Sequence, residues 1–286
     1  MRKWVFFSLI GVLFLFPKAY AGSTDVPRIL LVGDSWGSAM QIMRSFEMQV
    51  AGIGQHGNST TLVGVLAAEF DSPEWMAAIQ AELDAYPTID IIHLSLGGND
   101  FLNESHWTKD MPAAEIEAFM DQVNAHIANV IDNILAMRPN LRIAVCGYDF
   151  VNHSMGDASP TQINAIWSES EHRKLEMVLT KPRTFFIHNL GLMHYYFGTN
   201  EAGTDKYTTP LPGGYADNYL PFPGGNPDFL TPKAALLDGD IHLNMYGYDK
   251  LAERCLNEFY NSWLSWPVVY EILPLESGSA QSRFRV

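Results

Sequence analysis

The sequence predicts an α/β fold in three layers, a parallel sheet of about five strands with helices on both faces. Three observations predict it. Short apolar runs alternate with segments of helical spacing along the chain, the order that crossover connections impose on a parallel sheet. The runs Ile29 to Val32, Ile89 to Leu96 and Leu141 to Cys146 are largely apolar throughout, as strands covered on both faces are. The chain of 286 residues has no linker and no repeat, so its length fits one large domain with a sizeable core.

Before the first strand lies a targeting segment. Met1-Arg2-Lys3 precedes an apolar run from Trp4 to Phe16, and Ala19-Tyr20-Ala21 has the small-x-small pattern of a signal cleavage site. Residues 1–21 therefore read as a signal peptide and 22–286 as the mature domain, secreted or periplasmic. No apolar run is long enough for a membrane span.

The first strand, Ile29 to Val32, ends at Gly33, and helical spacing begins at Ser38 with Met40, Ile42, Met43 and Phe46. Val50 to Gly54 reads as a second strand, and Gly57-Asn58-Ser59 leads into a helix holding Leu62, Val63, Leu66 and Phe70. Trp75, Ile79 and Leu83 continue as helix until Pro87, and Ile89 to Leu96 is the third strand, stopped by Gly97-Gly98-Asn99-Asp100. Pro112 opens a long helix with Ile116, Phe119, Met120, Val123, Ile127, Val130, Ile131 and Ile134 on one face. Leu141 to Cys146 is the fourth strand, Thr161 to Leu179 a helix, and Thr184 to Ile187 the fifth strand. Residues 195–237 are rich in Gly, Pro, Tyr and Asn without periodicity, and are longer than an ordinary connection. Asp238 to Asn244 then leads into a helix with Tyr248, Leu251, Cys255, Leu256 and Phe259 on one face.

In sheets of this kind the site lies at the carboxyl ends of the strands. Ser35, Gly57, Asn99, Tyr148 and Asn189 all fall there. Ser35 stands at a strand-to-helix crossing, where amide N–H groups and the helix dipole favour an oxyanion beside a hydroxyl. The simpler role for Asp34 and Ser35 is to cap the helix. A nucleophilic serine needs a base, an orienter for that base and oxyanion donors. His242, flanked by Asp238 and Asp240, is the candidate base. The Ser35 and Gly57 amides and the Asn99 side chain are the candidate donors, with Trp36 as a wall of the substrate pocket or as packing beneath the helix. His93, inside the third strand, reads as a core histidine. No histidine or cysteine cluster stands at metal-ligand spacing, so neither metal nor cofactor is expected.

The formal charge is −14, and loss of the signal removes three basic residues and no acid. A surface that acidic disfavours nucleic acid or anionic membrane as partner and is compatible with neutral substrates such as sugars or uncharged esters. Cys146 and Cys255 would either pair in an oxidising compartment or remain as two buried thiols.

Taken together, Gly33-Asp34-Ser35, the glycine of Gly57-Asn58-Ser59, Gly97-Gly98-Asn99-Asp100 and the terminal Asp/His block resemble the four sequence blocks of the SGNH, or GDSL, hydrolases. The resemblance spans Arg28 to about Phe259. It implies a flavodoxin-like fold and metal-free cleavage of esters or thioesters. Ser35 would be the nucleophile, His242 the base, and Gly57, Asn99 and the Ser35 amide the oxyanion donors. One departure is clear. The family's aspartate stands three residues before the histidine, where this chain has Gly239. Asp240 is favoured over Asp238 as the orienter, because alternate residues of an extended segment face the same way. The expected substrate is a short acyl or O-acetyl carbohydrate ester. The alternatives are a lysophospholipase or thioesterase on longer chains, or a catalytically weakened glycan-binding module.

Overall fold

The computed structural model describes residues 25–102, 110–197, 230–237 and 241–265. The signal segment, residues 198–229 of the aromatic loop, Asp238 to Asp240 and the tail from 266 lie outside the described residues.

Strand β1 (Val26–Gly33) carries Ile29 to Val32, each fully buried because the strand is covered on both faces. It is followed by α1 (Ser35–Met43), β2 (Ile53–His56), α2 (Ala67–Phe70), α3 (Pro73–Ala85) and β3 (Ile91–Ser95). Next come α4 (Gly98–Leu102), α5 (Ala113–Met137), β4 (Arg142–Cys146), α6 (Pro160–Leu179), β5 (Thr184–Ile187) and α7 (Leu192–Phe197). The strands form one parallel sheet in the order β2-β1-β3-β4-β5. That is the flavodoxin-like order, whose direction of winding reverses between β1 and β3. The crevice beyond the carboxyl ends of those two strands is therefore where a site belongs.

Alternation along β1 sorts its side chains into two cores. Ile29 and Leu31 pack on the face that holds Met40, Tyr248 and Leu251, while Leu30 and Val32 meet Ile79, Leu83, Ile127 and Val130 on the other. Each such side chain contributes about 1.5–3 kcal/mol by leaving water. At the opposite edge of the sheet Arg28 donates twice to the Asp90 carboxylate, both at 2.7 Å, tying β1 to the entry of β3.

Several elements differ from the sequence reading. The second strand begins at Ile53 rather than Val50, because Gly52 turns the chain with φ +81° before pairing with β1 can start. The helix expected from Leu62 to Phe70 is only the short turn α2. Thr61 instead bridges Gly33 and Gly64 takes φ +85°, so this stretch runs beside the exit of β1. The first residues of the aromatic segment form α7, which the sequence reading left irregular.

After the described residues resume at 230, Leu236 bridges Leu243 and the chain enters α8 (Met245–Cys255). Asn244 caps that helix, its Oδ1 accepting the Tyr246 and Gly247 N–H groups at 3.0 Å each. Directly after Cys255 the helix widens into a π-helical turn, Leu256–Tyr260, and closes with α9 (Asn261–Leu264).

Candidate active site

The turn that presents Ser35 is fixed by backbone geometry at Gly33. Its φ is +120°, and a Cβ built there would stand 1.8 Å from the Ser95 carbonyl oxygen. Only glycine lets β1 run this close to β3 at its exit. Gly33 donates to Thr60 O and accepts from Leu62 N, both at 2.9 Å, while Asp34 donates to Ser95 O at 2.8 Å. Asp34 then caps α1, accepting the Trp36 N–H at 3.1 Å. The capping role falls to Asp34, and the adjacent Ser35 lines a cleft.

Ser35 Oγ lies 2.8 Å from His242 Nε2, although 207 residues separate them. His242 reaches this point because the bridge at Leu243 and the N-cap of α8 hold its backbone. The Leu237 N–H donates to His242 O at 2.9 Å, and the Asn244 N–H to Ala235 O at 2.8 Å. Burial disfavours the imidazolium and lowers the His242 pKa from 6.5, which keeps the ring neutral and able to accept a proton. Asp238 and Asp240, the two candidate orienters, lie outside the described residues.

A narrow cleft beside the Ser35–His242 pair is lined by Trp36, Asn99, Leu102, Val151, Trp167 and Ile241. Trp36 lines it and also packs inward, 7% exposed, with its ring edge-on to Tyr148 at 5.1 Å. The ring thus packs inward while it lines the cleft. Asn99 donates one Nδ2 hydrogen to Val65 O at 3.0 Å, which orients the amide and leaves its second hydrogen available.

Gly57 directly follows the last residue of β2. It is absent from the cleft lining and packs under α1, where an added Cβ would meet Leu31 Cβ at 2.9 Å and Gln41 Oε1 at 3.3 Å. Its carbonyl accepts the Thr61 hydroxyl at 2.7 Å. The segment that pairs with Gly33 is Thr60 to Leu62, and Gly64 lies between Leu62, bonded to Gly33, and Val65, bonded to Asn99. Gly64 stands within an apolar run, and that run reads as helix interior in the sequence.

Behind Ser35 is a buried polar network that sequence reasoning did not find. The Tyr148 hydroxyl donates to Asp34 Oδ2 and accepts the Gly98 N–H at 3.1 Å. Ser95 Oγ donates to Asp34 Oδ1 at 3.0 Å. Tyr148 thereby ties the exits of β1 and β3 to that of β4. Burial raises the Asp34 carboxyl to about 6 against the pull of these bonds, of which that from Tyr148 is the largest. Beneath Tyr148, Lys174 Nζ donates to Glu171 Oε1 at 2.7 Å with both side chains almost fully buried. Lys174 Nζ also sits 4.9 Å from the centre of the Tyr148 ring, a cation–π contact. The i,i+3 spacing of Glu171 and Lys174 resembles any solvated helix pair, so nothing in the sequence marks them as interior.

Among the described residues, three side chains of metal-ligating type, His93, Cys146 and Cys255, lie together, and none of them lines the cleft.

No family model and no curated protein matches the sequence. Among solved structures the chain is similar to a carbohydrate esterase family 3 protein from Talaromyces cellulolyticus, at 13% identity over 85% of this chain and 100% of that one, TM-score 0.48. It is similar to an extracellular lipase from Streptomyces rimosus at 15% identity over 81% and 98% of the two chains, TM-score 0.48. A member of the lipolytic G-D-S-L family from Veillonella parvula shares 13% identity over 82% and 99%, TM-score 0.46.

Proposed function

We propose that this chain is a secreted serine hydrolase of carboxylic esters, acting on short acyl or O-acetyl carbohydrate esters. The observation that carries the reading is the 2.8 Å contact between Ser35 Oγ and His242 Nε2. A neutral imidazole at that distance is a general base for the hydroxyl.

The chemistry proceeds in two halves. Ser35 Oγ attacks the ester carbonyl carbon while His242 Nε2 takes the hydroxyl proton. The carbonyl oxygen becomes an oxyanion, for which the assigned donors are the Ser35 amide, the Gly57 amide and the free Asn99 Nδ2 hydrogen. Collapse expels the alcohol, which leaves with the proton from His242 and an acyl group on Ser35. Water then attacks the acyl carbon, giving its proton to His242, and the acid departs as Ser35 recovers its proton. Asp240 is assigned to hold the imidazole tautomer.

The narrow cleft walled by Trp36, Leu102, Val151 and Trp167 supports a small acyl group over a long chain. The four blocks that resemble the SGNH family support the same roles for Ser35, Asn99 and His242. Secretion rests on the N-terminal pattern alone, and N-terminal sequencing of the exported protein should begin at Gly22.

The test is hydrolysis of chromogenic acetyl and long-chain acyl esters by the purified protein. Acetyl ester should be cleaved faster, and folded Ser35→Ala should lose both hydrolysis and labelling by an active-site phosphonate. Unchanged activity in that variant overturns the assignment. A preference for long chains overturns the substrate class but not the nucleophile.

A further inference from the structure

We propose that His93, Cys146 and Cys255 form a buried site for one zinc ion, separate from the Ser35 cleft. Sequence spacing does not suggest it, since no two of these residues are close in the chain. The fold brings them together: His93 on β3 and Cys146 at the end of β4 point to the same face of the sheet, and α8 lays Cys255 over them.

Their ligating atoms lie within 4.8 Å of one another, and all three residues are buried. Zinc bonds of about 2.3 Å to sulfur in a tetrahedral site place two sulfurs about 3.8 Å apart, so the cluster needs to close by about 1 Å at most. That movement is within side-chain adjustment.

The histidine is set up as a ligand. Its Nδ1 meets Tyr260 Oη at 2.8 Å, while Nε2 is buried without a hydrogen-bond partner. Fixing one ring nitrogen through a second residue and leaving the other for the metal is the usual arrangement of ligating histidines. A buried nitrogen with no partner otherwise carries a desolvation cost. Tyr260 arrives there through the π-helical turn that starts immediately after Cys255, a rare element that recurs at functional sites. Asn189 Nδ2 donates to Cys146 Sγ at 3.3 Å, a bond that favours the thiolate.

Charge also fits. Binding releases one proton from each thiol to solvent with no change of oxidation state. Two thiolates and a neutral imidazole would fill three of the four tetrahedral positions and sum with Zn²⁺ to zero, leaving the fourth to a neutral water. Because the site is enclosed, the ion enters as the chain folds and stabilises the folded state.

The experiment uses cobalt as the spectroscopic substitute. The full mature protein is unfolded, freed of metal, and refolded with and without Co²⁺ under a non-thiol reductant. The expected result is one cobalt per chain, with thiolate-to-cobalt charge-transfer absorption and tetrahedral d–d bands, displaced by Zn²⁺. Cys255→Ser should lose the charge-transfer intensity, and wild-type protein alone decides the matter if that variant fails to fold. Absence of the bands in refolded wild type overturns the proposal, and so does their persistence in folded Cys255→Ser. Discovery that the isolated protein holds Cys146 and Cys255 as a disulfide overturns it equally. None of these readouts involves ester hydrolysis.

Discussion

Replacing Tyr148 with phenylalanine removes one hydroxyl and keeps the ring, which stays against Trp36 at 5.1 Å and Trp167 at 5.5 Å. The bond donated to the Asp34 carboxylate and the one accepted from the Gly98 N–H are lost, together with the longer 3.4 Å contact from Ser95 Oγ. A hydrogen bond to a charged group contributes about 1.5–3 kcal/mol, and an orphaned buried N–H costs about 1–3 kcal/mol. The expected destabilisation is about 4 kcal/mol when Asp34 is ionised. It should also depend on pH, for a reason that fixes its sign. Burial raises the folded Asp34 value to about 6 from 3.8, so the fold favours the protonated acid. The contribution of Asp34 is therefore most favourable in acid, below its unfolded value, and is lost as pH rises through its folded value. Losing the Tyr148 bond moves the folded value higher still and deepens that loss above about 6. Urea unfolding of wild type and Tyr148→Phe at pH 5 and pH 8 measures both effects. The difference should be larger at pH 8. A difference equal at the two pH values, or below about 0.5 kcal/mol at pH 8, refutes the network as drawn. Because Asp34 also holds the Trp36 amide beside Ser35, kcat should fall about 10- to 100-fold while the phosphonate still labels Ser35.

Three further outcomes follow from the same geometry. Asp240→Asn should lower kcat/KM by about 10³- to 10⁴-fold and Asp238→Asn by less than about tenfold, read in steady-state ester hydrolysis; the reverse order assigns the orienter to Asp238. Burial holds His242 below 6.5, and the neutral ring is the active form, so the acid limb of kcat/KM against pH should have its midpoint below 6.5. A midpoint above 7 contradicts that environment. Lys174→Met leaves Glu171 buried without its cation and should cost about 3–5 kcal/mol in denaturant unfolding, while pairing it with Glu171→Leu should recover much of the loss.

Much of the fold is legible along the chain because it rests on short-range rules. Continuous apolar runs and helical spacing between them reveal a parallel sheet, and β5 falls on Thr184–Ile187 as read. The turn Gly33-Asp34-Ser35 announces itself as a strand exit, and Asn244 as the N-cap of α8. The reading fails where local pattern and tertiary demand conflict. Leu62 to Phe70 has helical spacing, yet Thr61 is taken by a bridge to Gly33 and only the last turn becomes helix.

By itself, then, the order of residues determined which segments become strands and helices and which chemical groups stand at strand ends. Only the tertiary structure decided which of those groups meet. Ser35 with His242, Tyr148 with Asp34, Glu171 and Lys174 with the interior, and His93 with two cysteines are contacts between distant parts of the chain. Side-chain period and turn preference act over a few residues, whereas burial and pairing depend on which faces the sheet and its crossovers bring together.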